Sequence, residues 1–280
     1  MIIISSDSTA DLGYLFKEHN IPVMPLAVTI AGEEYFDGVD IDAQMIFDNY
    51  DKNHVLPKTA ARAVSDYEEF FTSLTSGGNE VIHFSISSDL SVSNSNALEA
   101  AKNVANVHVI DTRSLSTGSG LLVLKAVEYA QAGLSASEIV DKVNVLVPKV
   151  QASFVVDTME YLHKGGRCGG VSLFFARSFR IHPQIIVKDG KMVVGQKFTG
   201  KMRSCLEKYV VATLKTFDKP DTSRIFITHS YADPEDVEMI KSLIKEIRPD
   251  FKEIIETHAG CTITSHCGKG TLGILFINEN

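Results

Sequence analysis

Val81-Ile82-His83-Phe84-Ser85-Ile86 runs directly into Ser87-Ser88-Asp89-Leu90-Ser91, and the helix-like stretch NSNALEAAKNVA (residues 94–105) follows. An unbroken apolar run of this length reads as a strand buried on both faces, ended by a polar turn. A buried strand followed at once by a helix is the repeating unit of a parallel sheet covered on both sides. The same grammar stands on either side of it. Ile2-Ile3-Ile4 leads through Ser5-Ser6-Asp7-Ser8-Thr9 into an apolar pattern at Leu12, Leu15 and Phe16. Val107-His108-Val109-Ile110 leads through Asp111-Thr112 into a long helical pattern over residues 115–132, closed by Gly133. Ser8-Thr9-Ala10-Asp11 has capping-box spacing, with Asp in place of Glu or Gln.

Residues 23–30 and 33–36, separated by Ala31-Gly32, predict an added hairpin, and residues 66–74 predict a helix. Past residue 150 the pattern changes. Ile185-Ile186-Val187, Lys188-Asp189-Gly190 and Met192-Val193-Val194 spell a tight hairpin around an Asp-Gly turn. Helices are expected over 204–217 and 234–247. In the second, Val237, Ile240, Leu243, Ile244 and Ile247 share one face. Strands are expected over 224–228 and 271–277. The pattern predicts an α/β protein: a parallel-sheet α/β domain over residues 1–155 and an α+β domain over 156–280.

Composition narrows the class. With 280 residues, 44% hydrophobic and 22% charged, the chain can bury a core without staples and is not disordered. A formal charge of −8 argues against a phosphate-backbone footprint, so nucleic acid is not an expected partner. No apolar run approaches the roughly 18 residues needed to span a bilayer. MIIISSDSTAD has neither the basic lead nor the apolar length of a signal peptide. Four cysteines are too few for a disulfide scaffold; reduced thiols and a cytoplasmic location are expected.

Most chemical motifs fail on context. Gly268-Lys269-Gly270-Thr271-Leu272-Gly273 fits G-x-G-x-x-G, but it precedes a strand near residue 280, where no βαβ unit can follow. G-x-x-x-x-G-K-[ST] and G-x-S-x-G do not occur. His258, Cys261, His266 and Cys267 cluster without the paired spacing of a structural zinc site, so no metal is expected. Lys164-Gly165-Gly166 reads as an ordinary helix end, with Arg167 just beyond it. Residues 171–179, with Phe174, Phe175 and Phe179, read as core or as the wall of an apolar tunnel. The hydroxyl-rich strand ends carry most information. Ser87, Ser88, Ser91 and Ser93 crowd one turn, more than capping requires, and Thr59 stands in a separate polar turn. Ligands of open α/β sheets collect beyond the carboxyl ends of the strands, where helix N-termini offer N–H groups to an anion. The residues alone point to a small-anion site.

At these positions the chain resembles the DegV family of bacterial fatty-acid-binding proteins. The landmarks, in order, are DSTADL at residues 7–12, Pro57-Lys58-Thr59, ISSxLS at 86–91, VIDT at 109–112, KGGR at 164–167 and HxGxG at 266–270. The resemblance implies two domains with one long-chain fatty acid between them and no other cofactor. It also implies a carrier, not an enzyme: the non-catalytic subunit of a fatty-acid kinase, whose partner is a separate ATP-binding kinase subunit. By the same resemblance Thr59, Ser91 and His266 hold the carboxylate, Ser93 is an additional head-group candidate, and Arg167 serves docking of the partner. The chain departs from the family pattern at Ala60, Val92-Ser93, Lys269 and, where some members carry a head-group arginine, Thr199. Two alternatives remain open: an acyl-transfer or hydrolytic enzyme using Ser91 or Cys267 with His266, and a small-anion sensor.

Overall fold

The computed structural model describes residues 1–168 and 181–279. Its first half runs β1 (Ile2–Asp7), α1 (Tyr14–Glu18), β2 (Val23–Met24), β3 (Ala27–Ile30), β4 (Glu33–Phe36), α2 (Ala43–Asn53), β5 (Lys58–Ala60) and α3 (Val64–Thr75). Then come β6 (Glu80–Ser85), α4 (Ser93–Asn103), β7 (Val107–Asp111), α5 (Thr117–Gln131) and α6 (Ala136–Leu146). The second half runs β8 (Val150–Val155), α7 (Glu160–Gly165), β9 (Ile181–Lys188), β10 (Lys191–Thr199), α8 (Met202–Thr216) and β11 (Arg224–Ser230). It ends with α9 (Pro234–Ile247), β12 (Glu253–His258), α10 (Cys261–Cys267) and β13 (Thr271–Ile277).

The fold is mixed α/β. A four-stranded parallel sheet has the order β2-β1-β6-β7, and a six-stranded mixed sheet the order β10-β9-β8-β13-β11-β12. The expected hairpin forms as β3–β4, and an unexpected strand, β5, adds to it to make a third, antiparallel sheet of order β4-β3-β5. The apolar run 23–30 is not one strand. Pro25, which has no N–H, divides it, so β2 joins the parallel sheet and β3 pairs with β4 and β5. Thr59 therefore lies in strand β5, opposite Val28, and not in a turn. Strand β8 hydrogen-bonds with β13 and β9, so sheet membership places residues 150–155 with the second half.

Helix α5 is buried on nearly all sides because it lies between the two large sheets. Leu121, Leu122 and Leu124 pack with Ile4, Ile82 and Phe84 of one sheet and with Ala152, Phe226 and Leu275 of the other. The Asp189-Gly190 turn has φ of 50° and 81°, the left-handed pair a two-residue hairpin needs. Its tip docks on the first half: Ser87 Oγ donates to the Gly190 carbonyl at 2.7 Å, and the Arg113 guanidinium donates to the Asp189 carbonyl.

A second tie between the halves replaces the expected capping box. Ser8–Ala10 is a short 3-10 turn, and neither end of Ser8-Thr9-Ala10-Asp11 caps the other. Ser8 Oγ donates to Asp37 at 3.0 Å, and the Asp11 carboxylate accepts from Ser116 Oγ and from the Gly260 N–H at 2.9 Å. Asp37 accepts from the N–H groups of Cys261 and Thr262 at 2.7 and 3.1 Å. Two buried carboxylates of the first half thus take up the free N–H groups that open α10 in the second.

Asp37→Ala strands those N–H groups and the Ser8 hydroxyl. It is expected to cost roughly 3 kcal/mol or more and to lower Tm by roughly 5–10 °C. Exposed Asp48, which accepts from Gln44, is the control: Asp48→Ala should stay within about 0.5 kcal/mol of wild type in thermal melts.

Candidate functional site

A cavity of about 590 Å³ collects residues from both halves. Its apolar wall includes Leu26, Ile86, Leu115, Phe154, Leu162 and Met192, and its polar wall includes Thr59, Ser91, Arg167, Thr262 and His266. Each polar residue arrives on a different argument. Strand β5 sets Thr59 and the turn before α4 sets Ser91. The end of α7 sets Arg167, and α10 carries Thr262 and His266 four residues apart on one face. Residues 171–179, expected to line a tunnel, lie outside the described residues.

Thr59 Oγ1 lies 2.8 Å from His266 Nε2, joining residues 207 positions apart. On the other side of the ring, Nδ1 is buried without a partner. It packs against Gly165, where an added Cβ would sit 2.4 Å from Nδ1. The glycine after Lys164 is there for close approach as much as for ending a helix. Burial, and then the nearby Arg167 charge, hold the His266 pKa down at about 4, so the ring is neutral near pH 7. Arg167 itself is exposed and donates to the Gly165 carbonyl at 2.8 Å.

Ser91 and Ser93 do different work. Ser91 lines the cavity, whereas Ser93 is fully buried and absent from its wall. Their hydroxyls lie 2.9 Å apart, and the Ser93 N–H donates to Ser91 Oγ at 3.2 Å. Ser93 lies beside Tyr67, whose hydroxyl donates to Asp7 at 2.7 Å. Ser93 therefore braces Ser91 through a buried chain that ends on Asp7. The departures from the family pattern divide likewise. Ala60 and Val92 line the cavity; Lys269 sits 5.6 Å over the Phe47 ring; Thr199 is exposed at the end of β10 and is not among the described lining residues.

Thr262 was missed in the sequence. Its one legible signal was the four-residue spacing to His266 on a helix. It lines the cavity, is buried, and its Oγ1 has no partner.

A family model described as "Uncharacterised protein, DegV family" matches residues 1–279. The chain belongs to the DegV family. A DegV domain-containing protein of Staphylococcus aureus (strain MRSA252) is 30% identical over 281 residues, covering 99% of each chain. Among solved structures, a DegV protein from Thermus thermophilus described for its fatty-acid binding superposes with a TM-score of 0.89. It is 26% identical and covers 99% of both chains. A stearic-acid-binding protein from Eubacterium ventriosum superposes at 0.85, also 26% identical, covering 100% of this chain and 99% of that one.

Among the described residues the cavity does not assemble a nucleophile pair around His266. Its Nε2 faces Thr59, Ser91 bonds to Ser93, and burial pushes the Cys267 thiol up to about 12. The four residues of the candidate zinc cluster are dispersed. Cys261 donates its thiol to the Ile41 carbonyl, while His258 joins His229 and Glu256, whose donor atoms lie within 4.8 Å of one another. There the backbone N–H of Ala232 donates to His229 Nδ1, which puts the ring proton on Nε2, facing Glu256 at 3.0 Å. That nitrogen has no lone pair to offer a metal. Among the described residues no helix is long and apolar enough to cross a membrane.

The His266 shift has a stability consequence. The unfolded ring protonates near its ordinary value, the folded ring only near 4, so stability falls as pH drops through that window. The loss reaches roughly 3 kcal/mol by the lower end. Urea denaturation at pH 7 and pH 4.5 should show wild type losing more stability than His266→Gln over the same interval.

Proposed function

We propose that this chain binds one long-chain fatty acid in the 590 Å³ cavity, with the carboxylate at Thr59, Ser91 and His266. One observation carries the reading: three residues remote in sequence, all neutral hydrogen-bonding groups, line a single apolar-walled cavity between the halves. The DegV relatives described as fatty-acid-binding support it. The chemistry is consistent. If His266 Nε2–H donates to Thr59 Oγ1, the threonine hydrogen is free for a carboxylate oxygen, and His266 serves the head group through Thr59. Ser91 turns its own hydrogen from Ser93 to the ligand, giving up one neutral hydrogen bond. Burying about 15 methylenes contributes roughly 12 kcal/mol gross, less ordering costs. The tail supplies affinity and the head group supplies orientation.

In this reading the chain is a carrier. It presents the carboxylate to a separate ATP-binding kinase subunit, with exposed Arg167 at the cavity rim as the docking contact. The absence of a phosphate-loop motif from the sequence supports a division of labour in which the partner holds ATP. The raised Cys267 thiol and the Ser91–Ser93 bond disfavour the hydrolytic alternative.

Mass spectrometry of an organic extract of the purified protein should find a long-chain fatty acid near one equivalent; a clean extract and no binding in titration would sink the reading. Ser91→Ala should weaken fatty-acid affinity ten- to a hundred-fold, beyond the modest Tm loss that breaking its bonds to Ser93 brings. If Ser91 merely caps a turn, Tm falls and affinity stays.

A further inference from the structure

Helix α10 carries three hydroxyl side chains, and two of them are satisfied. Thr264 Oγ1 donates to the Ala259 carbonyl at 3.2 Å, and Ser265 Oγ donates to the Cys261 carbonyl at 2.7 Å. Thr262 differs because of where it sits. It is the second residue of the helix, so the carbonyl four residues back belongs to His258, outside the helix. Its backbone N–H is held by Asp37, but its Oγ1 is sealed from water and has no partner. The residue is 6% exposed and lines the cavity that holds Thr59, Ser91 and His266.

A buried hydroxyl without a partner is costly to keep, and valine would fill the same space without that cost. Threonine in a helix has two accessible χ1 rotamers, which exchange Oγ1 with the methyl. Because Thr262 already stands in the cavity wall, such a rotation is the route by which its sealed hydroxyl would reach a ligand there. Thr262 lies one helical turn, about 5.4 Å, before His266, so its hydroxyl meets a ligand near its head end.

We propose that Thr262 recognises an oxygen substituent close to the carboxylate, and that the preferred ligand class is a fatty acid hydroxylated on its third carbon. The inference rests on the fatty-acid reading of this cavity and names its substrate more narrowly. The ligand hydroxyl gains a partner that a plain acyl chain leaves unused. A neutral hydrogen bond of this kind is read as a three- to ten-fold change in affinity, by order of magnitude.

The test is isothermal titration of palmitate and of 3-hydroxypalmitate against wild type and Thr262→Val. The substitution keeps the shape of the side chain and leaves the backbone bond to Asp37 in place; melting curves confirm folding. The expected result is that wild type binds 3-hydroxypalmitate about three- to ten-fold more tightly than palmitate, and that Thr262→Val removes the preference by weakening the hydroxylated ligand alone. Equal affinity of wild type for the two acids, or a preference for palmitate, overturns the proposal and leaves the fatty-acid reading intact. Equal weakening of both acids in Thr262→Val also overturns it, because Thr262 would then serve the carboxylate itself. Binding of neither acid overturns the fatty-acid reading and this inference with it.

Discussion

The grip of Asp11 and Asp37 on the first N–H groups of α10 is the contact on which the rest depends. A helix of seven residues has almost no stability of its own. What fixes this one is a pair of carboxylates from the other half of the chain, placed where helix N–H groups and the helix dipole favour negative charge. Ser8 and Ser116 hold those carboxylates in turn. Burial, with a smaller push from Asp37, raises the Asp11 pKa well above the usual carboxylate range, which eases the crowding of two acids at one helix end. Because α10 carries Thr262, His266 and Cys267, the same grip shapes the cavity wall.

The site built on that helix avoids buried charge. His266 is neutral, Thr59 and Ser91 are hydroxyls, and Arg167, the one cation among the described lining residues, is exposed. Pairing a carboxylate with a buried cation would carry a desolvation cost on both sides. Neutral donors orient an acid without that cost. The packing of His266 between Thr59 and Gly165 holds the ring edge-on to a single partner, so its orientation is set by contact and not by an ion pair.

Much of the fold was legible. The strand–turn–helix units around β1, β6 and β7 follow from unbroken apolar runs, and the Asp189-Gly190 hairpin from its turn chemistry. The misreadings share one cause. Ser8-Thr9-Ala10-Asp11 looks like a local cap, yet Ser8 donates to Asp37 and Asp11 accepts from Gly260, both at long range. Residues 23–30 look like one strand, yet Pro25 sends the two pieces to different sheets. Thr59 looks like a turn residue because the edge strand that holds it is three residues long. In each case a short segment takes its state from what it packs against.

The sequence by itself determined the α/β class and the succession of the main strands and helices along the chain, and it brought Thr59, Ser91 and His266 forward as candidates, because periodicity, turn chemistry and family motifs are properties of neighbouring positions. Only the tertiary structure decided that Ser93 stands behind Ser91, that Gly165 makes room for the His266 ring, and that Thr262 joins the cavity wall without a partner. They depend on how two sheets close on α5 and on two carboxylates that seize one helix end, in contacts between residues as many as 249 apart. No local pattern encodes the meeting of Gly165 with His266 or the place of Thr262 in the wall, since the cavity exists only when both halves of the chain are folded against each other.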